Sequence, residues 1–478
     1  MVEIAQYHVY DLRFTARVAK NPYDVDLRAV WTAPDGSTLT IPGFYDGDDT
    51  WVIRFSPMQL GEWSYETRSD ISSLDSRRGR GIFCVPNANP HIHGPLRVDR
   101  EHPHHFVYAD GTRYFPLGDE CDWLFALDMA DARRYLDRLA AYGFNQVLMQ
   151  VYAHHASWSE GLPFRVVPQL FPWEGSNEHP HHSRLNPPFW QHLDEIIAYM
   201  QQRGIVAHLM IEVHNKHVNW PARTLENDNP FWRHVIARYQ AFGNVIWDLC
   251  KEIWRVDDAE YWESRVELLR RLDAYHHLIT AHDGVLERGD FLADQHHEAF
   301  HAHILQERAR RAWPVMNVEY GYEPGPIPTY PMITLPDEMR CRTWEIVAAG
   351  GYPVFYYGNT AWDVVDLAPL PEGYPMFHIV QQVMARLPYW EMEPYDSLVD
   401  NGYCLAKLGE AYLVYLPHGG RVRLMAGELR GAGRPHAFWV NPRTGVEIPA
   451  GPLRPGANSF MAPLAFGHGD AVLVAYIA

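Results

Sequence analysis

Apolar and polar positions alternate in three regimes along the chain. Over residues 1–90 the period is two. LRAVWTAPDGSTLTIPGFYDGDDTWVIRFSP reads as short strands broken by Pro-Asp-Gly and Asp-Gly-Asp-Asp turns. GEWSYETRSD and GIFCV follow as further strands, and turn signals at this close spacing predict a small β-sandwich. VPNANPHIHGP (85–95) is a proline-rich connector.

From 91 to 394 the rhythm changes. Apolar runs at 114–119, 145–152, 205–213, 244–250, 278–283, 291–296, 314–320 and 352–358 read as strands covered on both faces. Amphipathic helices fall between them, at DARRYLDRLAAYG, PPFWQHLDEIIAYMQQRG, FWRHVIARYQAFG, AEYWESRVELLRRLDAY, AFHAHILQERARR, PDEMRCRTWEIVAAGG and MFHIVQQVMARL. Several end in glycine, the preferred C-terminal cap. In the first, Tyr135, Leu136, Leu139 and Tyr142 share one face. Eight strands with mostly helical crossovers predict a (β/α)8 TIM barrel. Between Asp283 and Phe291 there is little chain for a helix, whereas parallel crossovers take a dozen or more residues. The fifth crossover is therefore expected to be degenerate, or the barrel open there. Residues 395–478 return to period two, in YCLAKL, AYLVYLP, RVRLMA, HAFWVNPRTGVEI and DAVLVAYIA, and predict a second sandwich. The expected fold is α/β, with a barrel at 91–394 between β-sandwiches at 1–90 and 395–478.

Composition narrows the function. A chain of 478 residues allows two to four domains. With 47% apolar and 21% charged residues, long disorder is not expected. The 17 Trp, 27 Tyr and 20 Phe could stack on flat ligands such as sugar rings, or simply fill a large core. A net charge of -18 repels phosphate backbones and anionic bilayers, so neither nucleic acid nor membrane is an expected partner. No apolar run is long enough to span a bilayer. The five cysteines (Cys84, Cys121, Cys250, Cys341, Cys404) are odd in number and contain no CxxC, which reads as reduced, buried thiols. The start MVEIAQYHVYDLRF lacks the basic and apolar parts of a secretory leader. That implies a cytoplasmic protein if the chain is complete, and a secreted one if a leader has been removed.

In such barrels chemistry occurs at the C-terminal ends of the strands. Polar and aromatic residues concentrate there. The first strand ends in Gly118-Asp119-Glu120-Cys121-Asp122-Trp123, and the second in Tyr152-Ala153-His154-His155. The third ends in Glu212-Val213-His214-Asn215-Lys216-His217, the fourth in Cys250-Lys251-Glu252, and the fifth in His282-Asp283. The sixth ends in Gln295-His296-His297, the seventh in Glu319-Tyr320-Gly321-Tyr322, and the eighth in Tyr357-Gly358-Asn359-Thr360-Ala361-Trp362. Glu252 and Glu319 each follow a strongly apolar strand, the fourth and the seventh. A glycosidic bond needs one carboxyl to protonate the leaving oxygen and a second to attack the anomeric centre, about 5–5.5 Å apart in retaining enzymes. Trp123, Tyr322, Tyr357 and Trp362 are candidate sugar-stacking faces. His154, His214, His296, Asp122 and Asp283 are candidate hydroxyl-binding or charge-tuning groups.

These segments carry a resemblance. NVIWDLCKE resembles the fourth-strand acid/base motif of the clan A retaining glycosidases, and PVMNVEYGYE resembles their seventh-strand nucleophile motif. FPLGDECDWLF resembles the first strand of the apiosidase-like barrel glycosidases. FYDGDDTWVIRFSPMQLGEWSYET and FWVNPRTGVEI resemble the immunoglobulin-like and sandwich domains that flank such barrels. The resemblance implies a retaining glycoside hydrolase acting on a poly- or oligosaccharide without a cofactor, with Glu252 as acid/base and Glu319 as nucleophile. Lys251 departs from the pattern, which usually has Asn before the acid/base. Lys only donates and is charged, so it is expected either to meet an anionic substrate group or to perturb Glu252.

Two other readings stand beside this one. Lys251 suggests a carbohydrate-binding protein on a degenerate barrel. The 27 histidines suggest a metal hydrolase. His297-Glu298-Ala299-Phe300-His301 fits HExxH, but it straddles a strand end and a helix start, whereas a zinc protease needs it within one helix. No metal ligand is assigned.

Overall fold

The computed structural model describes all residues except 155–158, 225–226, 330–332, 431–432, 468 and 478. At its centre eight strands run parallel in one sheet: β1 Gly118–Glu120, β2 Gln146–Gln150, β3 Val206–Val213, β4 Val245–Lys251, β5 Ile279–Thr280, β6 Leu292–Asp294, β7 Val315–Asn317 and β8 Tyr352–Phe355. β8 pairs with β1, and an isolated parallel bridge between His282 and Ala293 joins β5 to β6, so the sheet closes on itself.

Among the described residues seven helices form the outer layer: α1 Met129–Ala141, α2 Pro187–Gln202, α3 Asn229–Tyr239, α4 Ala259–Leu272, α5 Phe300–Arg310, α6 Pro336–Ala348 and α7 Gly373–Met384. Among the described residues no helix joins β5 to β6, as the short segment there predicts. Local chemistry sets the helix ends. Asp128 and Asp258 cap α1 and α4 by accepting from Asp131 N and Tyr261 N. Gly143, Gly204 and Gly350 turn the chain off α1, α2 and α6 at positive φ, where a Cβ would be strained. No helix among the described residues is long and apolar enough to cross a membrane.

The barrel interior is a layer of its own. Leu148, Val206, Met210, Ile246, Met316 and Val354 fill it, and Leu96, Phe106 and Tyr114 of a small antiparallel sheet (Leu96–Val98, Phe106–Tyr108, Arg113–Tyr114) pack beneath them. A polar chain, Gln146 to His208 to Asp248, runs through this core at 3.1 and 2.8 Å.

Two β units flank the barrel. At the N-terminus a five-stranded and a three-stranded sheet enclose Trp31, Phe55 and Trp63, with Trp31 and Phe55 stacked at 3.8 Å. Ala241 and Tyr275 of the barrel belong to the same core. Arg54 crosses the junction, bonding Asp11 and Asp194, while Arg238 bonds Asp194 and Asp46. At the C-terminus a six-stranded sheet spanning Glu393–Pro394 to Ala471–Ile477 packs on α6 and α7. A two-stranded sheet, Arg421–Met425 with Ala457–Met461, covers its other face. Arg340 pairs there with Asp470 at 2.8 Å.

Candidate active site

The carboxyl ends of the strands gather a dense set of charges. β1 delivers Glu120, and Asp122 follows two residues later; both are fully buried. β4 ends on Lys251. Ile246 and Asp248 lie in the barrel interior and Cys250 in the outer layer, and Lys251 then turns back into the mouth. Its Nζ bonds Glu120, lies 3.8 Å from Asp122 Oδ1 and 3.5 Å from Glu319 Oε2, and sits over the Tyr356 ring. Burial works against the Lys251 charge, but Asp122, Glu120 and Glu319 outweigh it and hold its pKa well above the usual lysine value. Burial pushes the Glu120 carboxyl up; Lys251 opposes this, and Asp122 and Glu319 add to it. Lys251 thus serves three carboxylates: Glu120, Asp122 and Glu319.

Glu319 lies two residues beyond β7, its N–H bonded to Asn317 Oδ1 at 3.2 Å. Gln295 Nε2 donates to its Oε1 at 2.8 Å, and the Tyr322 hydroxyl donates to the same oxygen. The neighbouring His282 is fully buried. Burial and Lys251 push its pKa well down, so it is a neutral imidazole, 3.8 Å from Glu319 Oε2.

Glu252 immediately follows β4 and has a left-handed backbone (φ 53). This is uncommon for a residue with a Cβ and costs about 1–3 kcal/mol. The turn it makes leads into Ile253–Arg255, whose first N–H bonds the His282 carbonyl, two residues past β5, at 3.1 Å. Asn215 Nδ2 donates to Glu252 Oε1 at 2.8 Å, and Arg255 holds Oε2.

The mouth also holds polar groups with no hydrogen-bond partner among the described residues: Trp123 Nε1, both side-chain polar atoms of Gln150, and the Tyr356 hydroxyl. Buried polar atoms left unpaired by the protein are where ligand hydroxyls would bind. Lys216 places its ammonium 5.9 Å over the Trp123 ring, and burial lowers its pKa. A cavity of about 360 Å³ is bounded in part by Ile327, Thr329, Trp362 and Tyr322, the last of which bonds Glu319. Trp254, two residues past Glu252, is 56% exposed, with the Arg255 guanidinium 4.6 Å from its ring.

Of the residues singled out from sequence, Glu319, Lys251, Asp122 and Tyr322 come together around one centre, and Trp362 packs on Tyr322 with ring centroids 5.2 Å apart. Trp123 is fully buried, so as it stands it presents Nε1 and a cation–π face rather than an open platform. Asp283, left-handed at φ 57, lies near Glu319 and Trp254 at the end of β5, where burial raises its pKa.

Four candidates miss the centre. His214 bonds Glu212 at 2.8 Å, in a network with Trp232 and Tyr261 of the outer helices; its neighbour Asn215 reaches Glu252 instead. His296 stacks on His303, and its neighbour Gln295 reaches Glu319. Tyr357 faces Glu323 and Asp366, and Tyr356 takes the place in the mouth. His154 packs on Tyr152 and Phe171. His155 lies outside the described residues. The HExxH pattern does not assemble a metal pair: α5 begins at Phe300, His301 bonds Asp396 at 2.8 Å, and His297 lies beside Gln295. The missed residues Gln150, Asn215, Lys216, Gln295 and Trp254 carry one common signal, their place within or just after a strand end.

A family model described as "Apiosidase-like, catalytic domain" matches residues 100–372. Residues 3–70 match a domain of unknown function, and residues 396–476 match a "Putative collagen-binding domain of a collagenase". No curated protein matches the chain. Among solved structures, a "putative glycoside hydrolase" from Bacteroides vulgatus superposes with a TM-score of 0.84 at 21% identity, each chain covered over 100% of its length. A glycoside hydrolase family 5 protein from Bacteroides vulgatus gives 0.64 at 18% identity, over 81% of this chain and 94% of that one. A third, described as a glycoside hydrolase, gives 0.65 at 16% identity, over 81% and 98%. At these identities the likeness establishes the fold. The catalytic-domain match covers more than half of the chain and includes the ends of all eight barrel strands, and on that ground the chain belongs to the apiosidase-like family of glycoside hydrolases.

Proposed function

We propose that the protein hydrolyses an O-glycosidic bond of a poly- or oligosaccharide by double displacement. Glu319 attacks the anomeric carbon while Glu252 gives a proton to the leaving oxygen. Water, deprotonated by Glu252, then releases the sugar from Glu319. The observation that carries this reading is the setting of Glu319. Two donors fix one of its oxygens, and Lys251 Nζ stands 3.5 Å from the other, at the same barrel mouth as Glu252. A carboxylate oriented this way is suited to attack rather than to proton donation. The sugar-binding groups would be Asp122, Gln150, Trp123 and Lys216, with Trp254 on the leaving-group side. The carbohydrate is the proposed partner, and none of these steps calls on a cofactor.

The test is a panel of aryl glycosides, with furanosides (apiosides first, from the family's description) and uronides, assayed with wild type, Glu319→Ala and Glu252→Ala. Turnover is expected only with both carboxyls. Added azide should restore turnover to either alanine variant, yielding a glycosyl azide of opposite anomeric configuration in the two cases. Near-normal hydrolysis by Glu319→Ala, or an inverted product from wild type, overturns the mechanism. Saturable sugar binding with no turnover on any member of the panel replaces it with the binding-protein reading.

A further inference from the structure

Asp294, His296 and His303 form a cluster that the proposed chemistry does not use. Asp294 closes β6, His296 follows two residues later, and His303 is the fourth residue of α5. His303 Nε2 lies 2.5 Å from Asp294 Oδ2. The imidazoles of His296 and His303 lie face to face, centroids 3.5 Å apart and planes within 9°. One oxygen of Asp294 and one nitrogen of each ring all fall within 4.8 Å of one another, and all three residues are half-buried.

We propose that this cluster is a site for a divalent transition-metal ion, with Zn²⁺ held by Asp294, His296 and His303 and water in the remaining position. Two imidazoles and one carboxylate form a borderline donor set that suits zinc, cobalt or nickel, whereas calcium and magnesium call for oxygen ligands. Ligand atoms at zinc bond lengths in a tetrahedron stand about 3.3 Å apart. The Asp294–His303 contact opens slightly to reach that spacing, and His296 turns about χ2, a soft torsion in histidine. The backbone is held before any ion arrives: Asn317 Nδ2 donates to the His296 carbonyl at 2.9 Å, and α5 fixes His303. Glu298 adds negative charge beside His296.

The ion would fasten the end of β6 to the first turn of α5, across the left-handed Ala299 (φ 49). Gln295, which donates to Glu319, lies inside the fastened segment. The role is therefore structural, and the site is separate from the HExxH pattern, whose second histidine is turned to Asp396.

The experiment titrates chelator-treated full-length protein with Zn²⁺ by calorimetry, and with Co²⁺ by visible absorption. Wild type is expected to take up one equivalent that raises Tm and gives the intense absorption of tetrahedral cobalt. His296→Ala removes only a stacked, half-buried ring and is expected to fold normally, weaken binding at least tenfold and abolish the Tm rise; Asp294→Asn is the second variant. As a control, replacing the histidines at the strand Pro180–Leu185 (His179, His181 and His182) together by alanine should leave binding unchanged. The proposal is overturned if wild type shows no saturable uptake, or if uptake and the Tm rise persist in both His296→Ala and Asp294→Asn. None of these readouts depends on the glycosidase reading, so the two stand or fall separately.

Discussion

At the residue scale the mouth of the barrel is a problem in charge compensation. Lys251 pairs with Glu120, and it faces Asp122 and Glu319 as well. Removing one partner of a buried ion cluster leaves the others uncompensated, at about 3–5 kcal/mol. Lys251→Met is thus expected to lower stability by that order in a urea melt and to reduce kcat/KM by more than a hundredfold. Lys251→Asn, which keeps a polar side chain but removes the charge, is expected to lose both as well. Asp119, one residue from Glu120, faces the other way, accepting from the Tyr135 and Tyr374 hydroxyls at 2.5 and 2.7 Å, and burial raises its pKa to about 7. In the unfolded chain it loses its proton near 3.8, in the folded chain only near 7. Between those values the native state binds more protons, so raising the pH removes stability, by up to about 1.4 kcal/mol per pH unit for one group. Asp119→Asn is expected to flatten that part of a Tm-against-pH curve while leaving the tyrosine bonds in place.

At the element scale, what the sequence showed and what it hid differ by a single residue. The seven helices fall where period and glycine caps predict them, and the gap after Asp283 marks the crossover that lacks one. Glu319 was legible because a lone acid after an apolar run stands out. The groups that hold the acids were not: Asn215 rather than His214, Gln295 rather than His296, Tyr356 rather than Tyr357. Side chains of a strand alternate between its two faces, and the alternation breaks where β4 passes from Asp248 to Lys251. A pattern that locates a strand end to within a residue therefore cannot say which neighbour enters the barrel. Trp254 is a different case, since only its exposure, read in three dimensions, separates it from a core tryptophan. If it supports the leaving-group sugar, Trp254→Ala should raise KM for an oligosaccharide about tenfold, the range of a lost stacking contact. It should scarcely change kcat on an activated aryl glycoside.

At the scale of the whole molecule, the N-terminal unit and the barrel share structure. The Ser56 N–H donates to the Tyr275 hydroxyl oxygen at 2.8 Å, and Arg54 bonds the Arg238 carbonyl at 2.9 Å besides its two aspartates. Arg54→Met would leave Asp194 to Arg238 alone and Asp11 to the exposed Arg13, and is expected to cost about 3 kcal/mol, the lower end for breaking a buried pair. A single cooperative melt shifted downward would show that the two parts unfold together, whereas a separate early transition would show that the N-terminal unit comes away by itself.

The crossover from β5 to β6, without a helix among the described residues, leaves one seam of the cylinder different from the rest. There β5 and β6 meet through one bridge, reinforced by Asp283 N to the Ala293 carbonyl and by Ile279 N to Asp290. Amide protection follows local opening, and a seam with few ladder bonds and no overlying helix opens at lower free energy than its neighbours. Gln295 hangs from the edge of that seam, so the excursions that let solvent deuterium into Ile279–Asp294 would also loosen the grip on Glu319. In this chain the slow breathing of the wall would carry the aim of Glu319 with it.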